Sequence, residues 1–416
     1  MSPIRPTVQV VGARLEPEHH RLRDLLTRIA QPAEWYEAGT PEADQLLASH
    51  GLTGAELPVL IDGDEAHAGM TVERLAEAWR MSDPPRRERY DIAIVGAGPA
   101  GLAAAVYAAS DGLATVVVER DVPGGQASHT SMIENFFGFP EGIGGAELAR
   151  LAGRQAERFG AELVLMRGLE GGERVEPGRQ RFRVQGGHEF EAKVTVAAPG
   201  MDWRRLEVDG VDELLGRGVY YGAGRSEAVQ CGGEDVVVIG AGNSAGQAVL
   251  NLGDAGARVK MLVRGDRLGK TMSAYLVTRI EQHPLIDVRF RTEVEALRAD
   301  GQLEGVRVTG GEDLPARALF ICIGGQPRSG WAEAAGVRTD SAGYVLTGPD
   351  LLDRGDPPPD WPLERDPLAL ETSVPGLFAA GDVRHGSTKR VAGAVGEGAM
   401  AVALAHRRLE ELARET

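Results

Sequence analysis

An apolar run, Ile92 to Val95, stops abruptly at Gly96-Ala97-Gly98-Pro99-Ala100-Gly101, and an alanine-rich helical stretch follows. Each residue type there suits one task in holding a dinucleotide. Gly96 permits the tight turn out of a strand, Gly98 lets the backbone approach a pyrophosphate, and Gly101 lets the helix lie close to the sheet. Pro99 and Ala100 open the helix; the missing N–H of Pro99 is no loss in a first turn, and the bare amides around it hold negative charge. A second apolar run, Ala114 to Val118, closes with Glu119 and Arg120. That is about where, roughly 20 residues on, an acid accepts the hydrogen bonds of an adenosine ribose.

The pattern recurs far along the chain. A strand from Val236 to Ile239 leads into Gly240-Ala241-Gly242-Asn243-Ser244-Ala245, with Ala245 in the third small position. Two such turns predict two separate nucleotide sites. The closing strand of the second unit ends at Arg264, where the first unit has Glu119, with Lys270 a neighbouring cation. A guanidinium there favours the 2′-phosphate of NADP over the free hydroxyl of NAD. NADPH is therefore the expected coenzyme, with NADH the alternative.

Sulfur is scarce. The two cysteines, Cys231 and Cys322, form no Cys-x-x-Cys and no disulfide framework, and no metal-ligand spacing occurs. Cys231 is read at the start of a strand and Cys322 within the apolar strand Leu319 to Ile323, both as small buried hydrophobes. No metal is expected.

The elements that must position these residues follow from periodicity. A chain of 416 residues with 43% hydrophobic content has core enough for two or three domains. Its 56 glycines are roughly twice the ordinary share, concentrated in strand-to-helix turns. The formal charge of -16 argues against nucleic acid or an anionic membrane as partner. No apolar run reaches membrane-spanning length and no signal-peptide core opens the chain, so a cytoplasmic protein is expected.

Residues 1–80 read as a small α/β module. Val8 to Val11 is a strand, Pro17 to Ile29 a helix with Leu22, Leu25, Leu26 and Ile29 on one face, Pro41 to Ser49 and Thr71 to Trp79 further helices, and Val59 to Ile61 a strand. Met81 to Arg89 reads as a linker. Asp121 to Gly145 is a long glycine-studded segment of the kind kept for function. Ala146 to Phe159 reads as a helix, and alternation from Leu163 to Val196 suggests a small antiparallel layer. Thr372 to Val383 reads as a strand, with a long helix from Gly398 to Leu412. The proline-rich stretch 347–370 reads as a surface insertion whose Trp361 packs on its own domain.

Several stretches carry a family resemblance. Gly124-Gly125-Gln126, Ile133-Glu134-Asn135-Phe136 and Gly138-Phe139-Pro140, then Gly381-Asp382 and Lys389-Arg390-Val391-Ala392, resemble the flavin-cradling segments of bacterial low-molecular-weight thioredoxin reductases. The resemblance spans about Tyr90 to Arg408. It implies an α/β fold with two Rossmann-like dinucleotide-binding domains, an FAD domain from 90–206 and 331–416 and an NAD(P)H domain from 207–330. It also implies FAD as cofactor, hydrogen bonds to flavin from Gln126 and Asn135, the ribityl chain on Asp382, and Arg390 and Ala392 at the isoalloxazine edge. A homodimer is implied as well.

The N-terminal module resembles a degenerate thioredoxin or glutaredoxin fold, with Leu57-Pro58-Val59 at the place of its cis-proline. Glu16-Pro17-Glu18-His19 stands where the redox cysteines would be, so no thiol exchange is expected of it, and His19 is read as a solvated helix-start residue. The family's own Cys-x-x-Cys aligns here with Gly222 and Arg225. A thiolate must attack a disulfide and a second thiol resolve it, and neither is there.

The expected activity is an NAD(P)H-dependent flavoprotein oxidoreductase that passes electrons from FAD directly to an unidentified acceptor, a ferredoxin or other small redox protein, or a quinone. Hydride passage between two cofactors needs no acid or base from the protein, so no catalytic residue is named. The alternatives are a non-catalytic flavin-binding scaffold and a thioredoxin reductase using Cys231 or Cys322. Without a dithiol pair, less dependence on swivelling between the two nucleotide domains is expected than the family resemblance implies.

Overall fold

A computed structural model describes residues 6–415, apart from 177, 223–227, 229, 270 and 271. In the N-terminal module, β1 (Val8–Gly12) pairs in parallel with β2 (Ala33–Glu37) and antiparallel with β3 (Val59–Asp62), and β4 (Glu65–His67) closes the sheet. Helices α1 (Pro17–Arg28), α2 (Pro41–Ser49) and α3 (Val72–Ala78) pack on it. Pro17 begins α1 where no amide is needed, and Thr40 and Thr71 cap the other two through their hydroxyls. The Leu57-Pro58 bond is cis. Leu22, Leu25 and Leu26 of α1 form the module's core with Val8, Val10 and Leu60.

His19 departs from expectation. It is buried, and its Nδ1 accepts a hydrogen bond from the Ala13 amide at 2.8 Å, so the ring closes the β1-to-α1 turn instead of meeting solvent.

The first glycine turn belongs to a seven-stranded sheet. It begins with β5 (Arg89–Val95), which takes in Arg89 from the expected linker, followed by α4 (Pro99–Ser110), β6 (Thr115–Val118), α5 (Gly145–Arg158) and β7 (Glu162–Val164). Strands β8 (Leu169–Glu176), β9 (Arg179–Val184) and β10 (His188–Ala197) are antiparallel to one another. The expected antiparallel layer is thus present in these three strands and is continuous with this sheet. β7, at the start of the expected stretch, joins β6 in parallel, and β10 pairs with β9 through its first half and with β5 in parallel from Glu191 to Ala197.

After β11 (Met201–Trp203) and β12 (Val219–Tyr221), the second glycine turn connects β13 (Asp235–Ile239) to α6 (Asn243–Asp254). Next come β14 (Arg258–Val263), α7 (Ala274–Gln282) and β15 (Ile286–Phe290), then the antiparallel β16 (Val294–Ala299), β17 (Leu303–Val308) and β18 (Glu312–Pro315). With β19 (Ala318–Ile321), the order β12-β19-β13-β14-β15 is an all-parallel sheet. Cys231 lies in the turn before β13 and Cys322 just past the end of β19, not inside strands. The chain returns through β20 (Gly325–Pro327), paired with β11. β21 (Leu377–Ala379), much shorter than the expected strand, lies on the last residues of β10.

The final helix, α8 (Val391–Glu415), begins seven residues before its expected start. It lies against α4 so closely that a β-carbon on Gly398 would overlap the Ala100 carbonyl oxygen; small residues on both helices permit that approach. The 347–370 insertion folds back onto this body. Trp361 is buried and donates its indole N–H to the Arg365 carbonyl, and Arg365 forks between Glu371 and Glu411 of α8. Among the described residues no helix is long and apolar enough to cross a membrane.

Candidate functional site

The strand-to-helix turn after β5 can be built only from glycine at two points. Gly96 has φ +102°, in the left-handed region, and a β-carbon there would overlap the Ala198 carbonyl oxygen. One on Gly101 would overlap the carbonyl oxygen of Gly96, so α4 can approach β5 only with hydrogen at that position. Gly98 is different: no atom lies within 4 Å of where its β-carbon would stand. Its backbone faces open space at the head of α4, as close approach of a ligand requires.

That space is a cleft of about 400 Å³, the size of a cofactor pocket. Gly98, Pro99 and Ala100 line one side and Gly125, Gln126 and Asn135 another; Gly381, Asp382, Lys389, Arg390 and Val391 close it. Glu119 and Arg120 lie in its wall. The Glu119 carboxylate accepts from the Ala97 amide at 2.8 Å through Oε2 and from the Asp121 amide at 3.0 Å through Oε1. Burial pushes its pKa up, against the pull of those two amides. Each oxygen keeps a lone pair for a hydroxyl donor. Burial likewise raises Asp382, opposed by the Lys389 cation, and Lys389 is itself hydrogen-bonded to the Tyr344 hydroxyl. An open amide-lined turn, a hydroxyl-accepting carboxylate and a second, partly buried acid fit FAD.

The head of α6, just past the second turn, reaches the same cleft. Asn243, Ser244 and Gln247 of α6 line it with the residues above. Gly240 has φ +136°, and a β-carbon there would overlap the Cys322 carbonyl oxygen; Gly242, like Gly98, faces open space. Direct bonds hold the two units in this pose. Gln247 Nε2 donates to the Met132 carbonyl at 3.1 Å, and Arg279 pairs with Glu134 at 3.2 Å.

The family described as pyridine nucleotide-disulphide oxidoreductase matches residues 90–398. The chain belongs to that family. The thioredoxin reductase of Bacillus subtilis is 33% identical over 330 residues, covering 78% of this chain and 96% of that protein. The crystal structure of Lactococcus lactis thioredoxin reductase superposes with a TM-score of 0.67 at 29% identity, over 77% of this chain and 99% of that one. The crystal structure of T. acidophilum thioredoxin reductase gives 0.67 at 27% identity, over 78% of this chain and 100% of that one. This oxidoreductase is thus an NAD(P)H-dependent flavoprotein of thioredoxin-reductase type, in a family that uses FAD and NADPH.

Not every residue expected at the oxidoreductase's site lies in the cleft wall. Gly96, Gly101, Gly240 and Ala245 stand behind it as packing positions, and Gly242 and Ala392 are also absent from its lining. Two side chains are partly occupied already: Gln126 Nε2 donates to the Met201 carbonyl at 3.0 Å, and Asn243 Oδ1 accepts from the Ser273 amide at 2.7 Å. Arg264 is exposed at the end of β14. Lys270 and Arg225 lie outside the described residues.

Sequence reading missed three basic groups. Arg291 sits beside Arg264 because Val263 and Phe290 are register partners, and its amide donates to the Gly265 carbonyl at 2.9 Å. Parallel pairing of β14 with β15 was the signal that could have found it. His129 lines the cleft, 3.8 Å from Asp24 of α1 and edge-on to Trp203. Arg28, from the N-terminal module, lines it too.

Both cysteines are buried. Burial pushes the Cys322 thiol up to about 12, which leaves almost no thiolate at neutral pH. In the native oxidoreductase both thiols are expected to resist DTNB at neutral pH, with two released on unfolding in guanidinium. Rapid native labelling of either would contradict the burial.

Proposed function

We propose that this chain transfers electrons from NADPH through FAD directly to an external acceptor, with no dithiol in between. The observation that carries this reading is that the first glycine turn and the head of α6, which follows the second, meet on one cleft whose lining contains no cysteine among the described residues. When bound, FAD accepts hydride from reduced nicotinamide and passes electrons on singly or in pairs, so the protein's task is placement.

The chain's own residues divide that task. Gly98 and the amides at the head of α4 receive one pyrophosphate, and Glu119 accepts ribose hydroxyls. Asp382 holds the ribityl end, and Gln126 offers its remaining amide oxygen. Gly242 and the head of α6 receive the pyrophosphate of NADPH, while Arg264 with Arg291 meets its 2′-phosphate. Gly222, where the family resemblance would put a redox cysteine, is a buried glycine whose β-carbon would lie 3.6 Å from the Trp203 ring. The homodimer belongs to the same proposal; exposed Tyr107, Leu151 and Met400 on α4, α5 and α8 are the surface a second copy would cover.

The test is anaerobic mixing of the purified flavoprotein with NADPH, followed by a screen of quinones, ferredoxins and small disulfides. Rapid bleaching of the flavin is expected, followed by reoxidation by at least one acceptor. The Cys231→Ser/Cys322→Ser double variant should bleach and turn over at the parent rate. Absence of bleaching would make the protein a flavin-binding scaffold. Thioredoxin turnover that vanishes in the double variant would restore a sulfur relay.

A further inference from the structure

The N-terminal module carries no thiol pair, yet its first helix forms part of the cofactor cleft. The Arg28 guanidinium, in the last turn of α1, makes a two-point contact with Asp121: Nη1 to Oδ2 at 2.7 Å and Nη2 to Oδ1 at 3.1 Å. Its Nε donates to Asp24 at 2.7 Å, and the side chain is only 13% exposed. Two-point, charge-assisted pairs of this kind fix orientation as well as distance. Burial works to raise the Asp121 pKa, but the Arg28 cation holds it below the usual carboxylate range.

Asp121 is the residue whose amide donates to Glu119 Oε1. Val122, next in sequence, is buried inside the module's own core with Leu22, Leu25 and Leu26. The segment 119–122 is therefore gripped by the module on one side while Glu119 faces the cleft on the other. The opposite end of α1 rests on the second nucleotide unit: a β-carbon on Gly216 would come within 3.0 Å of Pro17, and His20 lies against Tyr220 with ring centroids 4.9 Å apart. Such contacts at both ends hold α1 in place.

We propose that Arg28 is a positioning residue for FAD. Through Asp121 it sets the Glu119 carboxylate, so the N-terminal module completes the adenosine end of the flavin site. This rests on the reading of Glu119 as the ribose-binding acid, and the experiment separates the two. Full-length protein is stripped of FAD, and the FAD dissociation constant is measured by flavin fluorescence for Arg28→Gln, Asp121→Asn, the double variant, Arg28→Lys and Glu119→Ala. The unfolding temperature of each FAD-free form is recorded alongside.

Arg28→Gln and Asp121→Asn should each weaken FAD about tenfold, and the double variant no more than the worse single, because both remove one pair. Arg28→Lys should recover part of the loss, and binding of 2′,5′-ADP at the other unit should not change. A merely structural pair would lower the unfolding temperature and leave the FAD constant alone, which overturns the proposal. If Glu119→Ala weakens FAD while Arg28→Gln and Asp121→Asn do not, the inference falls and the ribose reading stands. If Glu119→Ala changes nothing, the ribose reading itself falls, and the inference with it. Should Arg28→Gln fail to fold, Asp121→Asn and Arg28→Lys decide the matter by the same comparison.

Discussion

Gly98→Ala is expected to give a folded, colourless protein, whereas Gly101→Ala should give one that does not hold its first nucleotide unit together. The two glycines are three residues apart, and their surroundings make the difference. A β-carbon on Gly101 would overlap the Gly96 carbonyl oxygen, a backbone atom that cannot rotate away. Relieving it means lifting α4 off β5 and disturbing a core that includes Ile94, Ala104 and Ala105. Overpacking commonly costs about 1–3 kcal/mol and a backbone clash more, against a total stability of about 5–15 kcal/mol.

On Gly98 the same methyl meets nothing within 4 Å, so folding is spared. It projects instead into the space proposed for the pyrophosphate, and FAD should be lost. Circular dichroism with flavin absorbance on the purified variants reads both results. A yellow Gly98→Ala protein with parent affinity for FAD would remove the first turn from the cofactor site.

Arg264→Glu is expected to lower kcat/KM for NADPH about 100-fold, equivalent to about 2.7 kcal/mol, while NADH changes by no more than a few-fold. Arg264 stands exposed at the carboxyl end of β14, where open parallel sheets bind their ligands. The substitution removes a charge-assisted hydrogen bond to the 2′-phosphate and sets a carboxylate against a dianion. NADH has no phosphate at that position and should be indifferent. Steady-state kinetics with both coenzymes, and titration of the parent and variant with 2′,5′-ADP and 5′-AMP, measure the ratio. Equal losses with both coenzymes would mean that Arg264 supports the fold of the second unit and reads no phosphate.

The glycine turns were legible from the amino-acid string because their demands are local. A positive φ at Gly96 and hydrogen at Gly101 are needed by any chain that turns from strand to helix so tightly, and flanking apolar runs announce both elements. The same holds for Glu119, which falls at the end of β6 whatever surrounds it. Helix limits were less legible. Residues 391–397, which precede the helix expected from Gly398, are helical in α8 because Gly398 and its neighbours find the small-residue face of α4, a partner nearly three hundred positions away in the chain. His19 was misread for a similar reason: a histidine in a polar helix start has no local mark that a backbone amide awaits it.

What the order of residues determined alone was the pair of nucleotide-binding turns, the cations and acid at their strand ends, and the shortage of sulfur. All are matters of residue type at short range. Tertiary structure alone decided that the first turn and the head of α6 share one cleft, that Arg291 stands beside Arg264, and that α1 reaches Asp121. Those juxtapositions come from parallel strand register and from packing between segments distant in sequence, which no local spacing encodes.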